Sequence, residues 1–318
     1  QTAGVNTLRP ALEIDGDVYK SITIKQETPL VPADSKELRP HRLAVGLYDI
    51  KGDSLQLRKS VELDVAGAAT VVADLAGEKV ADLLLINDRD LSYAKLRFDD
   101  RSIATLKTHL GKFDDALARA LCWASIWDMH RDAEISSSDF IEIALNGLAG
   151  ETDDAIVNIV LMQLNTSVEA YAKDSNRAAY REKLANGLWA LTQNSAPGSD
   201  LQLLISRAFA INAQTPEQTA KIRELLNGGA PGLKVDTDLR WYFLIALTER
   251  GATTKAELDA ELATDNTTTG NLAFETCLAA MPNNEAKAYA FNKVLNEDIV
   301  TSMRSALIAG FQRPIQRE

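Results

Sequence analysis

The chain has 318 residues, 46% of them apolar and 25% charged, the composition of an ordinary soluble protein whose longest apolar stretches fall far short of a membrane span. Forty-five acidic against 34 basic residues leave a net charge of -11, which opposes attraction to phosphate backbones and anionic lipid and so argues against nucleic acid and membrane as partners. The length favours about two domains.

From the start through about residue 86, apolar residues alternate or form short β-branched runs, as antiparallel strands require. Val18, Ser21-Ile22-Thr23-Ile24 and Leu43-Ala44-Val45 are such segments, and Leu55 to Val65 reads as the second arm of a strand pair. Asp15-Gly16-Asp17 and Lys51-Gly52-Asp53 mark tight turns, where glycine supplies a positive φ. Leu83-Leu84-Leu85-Ile86 reads as a buried strand, and the expected architecture of this part is a small β-sandwich. In the run Asn87 to Asp99, Tyr93, Leu96 and Phe98 are read as apolar anchors of an ordered junction.

After Asp99 the apolar period becomes three and four residues, which predicts about a dozen helices. Thr215-Pro216-Glu217-Gln218 combines an N-cap, a proline at the first helical position and a capping-box glutamine, and Thr254 to Glu257 repeats the box. Gly150, Gly228-Gly229, Gly251 and Gly310 are read as helix stops. Ser199, Asp236, Asn266 and Asp298 would begin successive helix pairs at irregular steps of roughly 30 to 37 residues, close to paired-helix repeats. The predicted fold is therefore a β-sandwich domain at 1–98, including the junction, followed by an all-α, α-solenoid-like domain at 99–318. Most of the negative charge falls in that second part.

The search for catalytic chemistry finds little. Hydrolytic zinc commonly needs H-E-x-x-H, which is absent, and the three histidines His41, His109 and His130 are scattered. Asp128-Met129-His130-Arg131-Asp132 looks like a ligand cluster until helical geometry is applied. At 100° per residue His130 points about 160° away from either aspartate, so the segment is read as a solvated helix end. G-x-S-x-G, G-x-x-x-x-G-K-[ST] and G-x-G-x-x-G are absent as well. Gly228-Gly229-Ala230-Pro231-Gly232 follows a predicted helix, so it reads as a stop and turn rather than a phosphate cradle. Cys122 and Cys277, 155 positions apart, lie on apolar helical faces and read as buried reduced thiols. Trp123 and Trp127 share one helical face and read as core, as do Trp189 and Trp241, while Arg240 could reach a cavity or form a surface ion pair. No catalytic or metal residue is assigned, and substrate-binding residues are unknown.

Several segments resemble a known family. Gln1-Thr2-Ala3-Gly4-Val5-Asn6-Thr7-Leu8, Leu38-Arg39-Pro40-His41-Arg42-Leu43-Ala44-Val45-Gly46-Leu47-Tyr48-Asp49 and Asn87-Asp88-Arg89-Asp90-Leu91-Ser92-Tyr93-Ala94-Lys95-Leu96-Arg97-Phe98-Asp99 are similar to the M1 family of zinc aminopeptidases. The likeness is to the aminopeptidase N type of high-GC Gram-positive bacteria. Leu121 to Met129 and Asp238 to Tyr242 resemble segments of that family's helical domain, in the expected order. The resemblance implies a metal-dependent exopeptidase acting on peptide N-termini, with zinc held by H-E-x-x-H and a downstream Glu, and a G-A-M-E-N exopeptidase motif. None of these motifs has a counterpart here, so no zinc or catalytic residue carries over. What the resemblance implies for this chain is a non-catalytic C-terminal region, without a cofactor of its own, that caps the active site, shapes the substrate chamber and packs on the catalytic domain of the same polypeptide. It also implies truncation at both ends, since the family's helical domain continues past Arg317-Glu318. A cytoplasmic location is expected, with a signal peptide upstream of Gln1 left open. The alternative is an independent α-solenoid scaffold that binds a protein on its concave face.

Overall fold

The computed structural model describes residues 3–32 and 34–316. Gln1, Thr2, Arg317 and Glu318, which belong to the end segments discussed above, lie outside the described residues. Two compact units, residues 1–173 and 174–318, make up the chain.

The first unit opens with β1 (Thr7–Asp15), β2 (Val18–Glu27), β3 (His41–Lys51), β4 (Ser54–Val65), β5 (Ala69–Val71), β6 (Leu83–Ile86) and β7 (Lys95–Leu96). They form one sheet of order β5-β2-β1-β7 and another of order β4-β3-β6. Both sheets contribute to one core, with Leu8, Ile22 and Ile24 from the first meeting Leu43, Val45, Leu47 and Ile86 from the second, so they face each other as a sandwich. The turns at Gly16 and Gly52 have φ of 63° and 62°, the left-handed region that their hairpins require. β1 escapes the alternation reading because Pro10 and two acidic residues, Glu13 and Asp15, interrupt its apolar pattern.

The change of period at Asp99 is a change of structure. The Asp99 side chain accepts from the backbone N–H groups of Arg101 and Ser102 and so starts α1 (Asp100–His109). α2 (Ala116–Arg131), α3 (Ser137–Leu148) and α4 (Asp154–Thr166) complete the first unit, and the last turn of α4 widens into a π-helical segment at Ser167–Tyr171. Gly111 and Gly150 approach each other so closely that a Cβ on either would lie 2.3 Å from a carbonyl oxygen, of Gly147 in one case and of Gly111 in the other.

The second unit holds α5 (Asp174–Asn194), α6 (Asp200–Asn212), α7 (Pro216–Leu226), α8 (Thr237–Thr248), α9 (Lys255–Thr264), α10 (Thr268–Ala280), α11 (Asn284–Asn296) and α12 (Thr301–Phe311). Twelve helices are thus present among the described residues. The capping box at Thr215 and Gln218 forms in full, whereas Thr254 receives the Glu257 N–H as a single-sided cap. α8 packs between α6 and α10, and α10 packs on α12, so the first members of successive helix pairs line up. Gly310 departs from expectation. It lies within α12 rather than after it, and a Cβ there would lie 2.3 Å from the Thr276 carbonyl oxygen, so its role is close packing on α10.

Candidate functional site

The sequence feature with the most structural consequence is the run from Asn87 to Asp99, which joins sheets to helices inside the first unit. Asn87 takes a positive φ of 61°, which asparagine tolerates, and its side-chain amide pairs with both the N–H and the carbonyl of Ser92. Asp88 turns inward, where its carboxyl accepts from the Tyr48 hydroxyl and from Ser60 Oγ at 3.1 Å. Burial pushes the Asp88 carboxyl above its ordinary range, and the same enclosure raises the Tyr48 phenol. Leu96 and Phe98 are buried as expected, but Tyr93 is not an anchor: its ring stands in solvent.

At the far side of the junction an ion-pair network forms. Lys95 donates to Asp132 at 2.7 Å, Arg97 donates to both Asp132 and Glu134, and Arg9 donates to Glu134 at 2.8 Å. Burial pushes the carboxyls of Asp132 and Glu134 up, but the facing cations outweigh it and hold both below their ordinary values. Carboxylates held this way accept hydrogen bonds from fixed donors and are poor proton carriers near neutral pH. They join β1 and β7 to the end of α2.

This overturns the solvated-helix-end reading of Asp128 to Asp132. The His130 ring is buried, stacked on Phe140 with centroids 4.7 Å apart, and its Nδ1 lies 2.9 Å from the Ile135 carbonyl oxygen. Its Nε2 is buried with no hydrogen-bond partner among the described residues, and burial lowers its pKa. Trp127 and Tyr171 complete this aromatic cluster. Asp128 is left to Arg131 at 3.8 Å while Asp132 goes to Lys95 and Arg97, so the three residues do not converge. Composition could not foresee this, because the partners of Asp132 lie more than thirty positions upstream and Phe140 and Tyr171, which cover His130, lie on elements downstream.

The remaining candidates are dispersed. His41 Nε2 lies 3.0 Å from Gln26 Oε1, and His109 Nδ1 lies 2.8 Å from the Thr108 hydroxyl. With the histidines in three separate settings, the residues present do not fit a hydrolytic zinc ion, and among the described residues no group of three His, Cys, Asp or Glu comes together. Cys122 and Cys277 are free and buried; burial raises both thiols, that of Cys277 to about 12. Trp123 Nε1 donates to the buried Glu151, which also pairs with Arg119, and Trp241 Nε1 donates to Asp265. Trp189 packs on Phe209. Arg240 makes a two-pronged pair with Glu261 at 2.7 Å for each contact, which settles it as an ion pair. Gly228 and Gly232, with φ of 81° and 79°, turn the chain after α7.

In the second unit, Glu249 is buried between Arg250 and Arg313. Arg250 spends its other donors on the carbonyls of Ala213, Ala246 and Ile211, so its own charge is taken up beside the adjacent cavity of about 510 Å³. The contacts described in both units are those of positioning and packing; where a hydroxyl meets an imidazole, at Thr108 and His109, the pair is exposed and adjacent in sequence.

The ERAP1-like C-terminal domain family matches residues 83–318, from β6 to the end of the chain. The chain belongs to this family of M1 aminopeptidase C-terminal domains. Over 326 aligned positions it is also 42% identical to aminopeptidase N of Streptomyces lividans, a match that takes in all of this chain and 38% of that protein. It therefore spans about two fifths of the length of the curated relative. No helix among the described residues is long and apolar enough to cross a membrane.

Proposed function

We propose that this chain is the non-catalytic region of a zinc aminopeptidase that removes N-terminal residues from peptides, with residues 1–98 forming its sandwich domain and 99–318 its helical domain. The helical domain, read as an irregular solenoid, caps the active site and shapes the substrate chamber, and the chain packs on a catalytic domain in the same cytoplasmic polypeptide. The observation that carries this reading is the end-to-end match to an aminopeptidase of which this chain covers 38%. The lack of H-E-x-x-H in the 318 residues supports the reading in which zinc is held by that other domain. The alignment of α6, α8, α10 and α12 supports the stacked-pair reading. No observation favours an independent scaffold.

The test joins this chain to the portion of the Streptomyces lividans enzyme outside the match. The chain alone is expected to hold no stoichiometric zinc and to cleave no aminoacyl reporter, whereas the fusion cleaves the reporter and loses activity to a chelator. Peptides of increasing length then test the chamber. If removal of residues 99–318 from the fusion leaves the size limit unchanged, the capping role is wrong.

A further inference from the structure

One end of the sandwich displays an apolar surface that the rest of its unit leaves open. In the first sheet Thr7 is in register with Glu27 and Lys95, and in the second His41 is in register with Val65 and Val45 with Ile86. His41 meets Gln26, and Asn6 donates to the carbonyls of Glu27 and Glu37, so the two sheets share this end. Segments 28–32 and 34–40 and the 87–94 loop lie here. The helices of the unit go elsewhere, with Thr105 bonded to the Asp82 carbonyl and Lys112 paired with Asp53 at the opposite, turn-bearing end, and Asp132 and Glu134 on the β7 side.

At the open end Leu30, Val31, Leu91 and Tyr93 are 75%, 80%, 48% and 87% exposed. Such exposure costs stability unless a partner covers it, and an exposed tyrosine is a typical interface anchor. The loop that presents Tyr93 is already ordered by Asn87 and by the Ser92 hydroxyl, which donates to the Arg42 carbonyl at 2.7 Å. Little entropy is then lost on docking. Around it Arg42 pairs with Glu62 and Asp64, and Arg89 with Glu62, so the polar rim is satisfied within the chain.

We propose that this end of the sandwich is the docking surface for the catalytic domain of the same polypeptide, with Tyr93 and Leu91 as its anchors and Leu30 and Val31 beside them. The proposal rests on the accessory reading above. The occupant follows from two features. The relative has more than half its length outside the match, and the Ala3 carbonyl is held by Arg39 at 3.1 Å while Gly4 lies against Pro29 and Val31, so a polypeptide joined through Ala3 starts from beside the segment that carries Leu30 and Val31. A tethered domain starts at high effective concentration over the surface next to its tether.

Hydroxyl-radical footprinting read residue by residue tests this on the chain alone and on the fusion described above. Labelling of Tyr93 and Leu91 should fall about fivefold or more in the fusion, as expected for side chains moved from solvent into a packed interface, while Ile14 at the opposite end keeps its labelling. Replacing both anchors, Tyr93→Asp with Leu91→Asp, should leave the unfolding midpoint of the chain alone in place and restore labelling of Leu30 in the fusion. Equal labelling of Tyr93 and Leu91 in chain and fusion overturns the proposal. So does protection already present in the chain alone together with sedimentation as a dimer, which would make a second copy the occupant. Reporter hydrolysis by the same fusion judges the accessory reading separately, so an active fusion with an unprotected Tyr93 removes the docking surface and keeps that reading.

Discussion

The guanidinium of Arg97 meets the carboxylate of Glu134 at 2.6 Å across 37 positions of sequence, with the arginine only 2% exposed. Its other end reaches Asp132. One buried cation therefore ties the last strand of the sandwich to the turn that follows α2.

Replacing Arg97 with alanine leaves Asp132 and Glu134 with Lys95 and Arg9 as their remaining partners. Removing one member of a buried pair costs about 3–5 kcal/mol, and the partial exposure of the two acids brings the expected loss to about 2 kcal/mol. Urea denaturation of the variant against the parent measures it. A loss no greater than that of the exposed Arg131→Ala would show that the pairing contributes nothing.

The same network has a pH signature. Asp132 and Glu134 titrate below their ordinary values of 3.8 and 4.5, so their pairing stabilises the fold above those values and is lost as pH falls through the depressed folded ones. Stability should decline below about pH 4.5, and Arg97→Ala should flatten that limb. Denaturation midpoints from pH 6 downward test the difference, and parallel curves for the two proteins would refute it.

His130 acts in a higher window. Buried against Phe140 with Nε2 unpartnered, it titrates below its ordinary value of 6.5. The unfolded chain then binds the proton first, so stability is complete above pH 6.5 and falls as pH drops from there towards the folded value. His130→Phe should remove this slope at a fixed cost of about 1 kcal/mol for the hydrogen bond to Ile135. A two-dimensional NMR titration in which the His130 ring protonates at or above 6.5 would contradict it.

Gly310→Ala places a methyl 2.3 Å from the Thr276 carbonyl oxygen and 2.7 Å from Ala279 Cβ. Backbone cannot yield cheaply, and overpacking of this kind costs about 1–3 kcal/mol. Hydrogen exchange of the α10 and α12 amides should accelerate in this variant, although alanine is the better helix former. An unchanged or slower rate would mean that α12 shifts freely.

Neither thiol should react with a disulfide reagent in the native chain, and both should react once denatured, because Cys122 and Cys277 are fully buried and their thiolates disfavoured. Stoichiometric labelling without denaturant would place one of them at the surface.

Local chemistry was enough to read much of the fold from the residues alone. The hairpin turns at Gly16 and Gly52, the Thr215 cap with Pro216 and Gln218, and the change of period at Asp99 each depend on neighbours within about four positions, where turn geometry and helix capping act. The missing peptidase motifs and the family likeness were legible for the same reason, since a motif is a local string. Tertiary structure decided everything that depends on partners far along the chain. His130 sits at a helix end whose charges look solvated, yet Trp127, Phe140 and Tyr171 enclose its ring, and Lys95 on β7 with Arg97 just beyond it takes up Asp132. Tyr93 reads as an anchor by its apolar body, yet the pairing of Asn87 with Ser92 turns it outward. Gly310 resembles a helix stop until α10 is seen against it. Burial and charge pairing are sums over neighbours in space, and no local pattern names those neighbours.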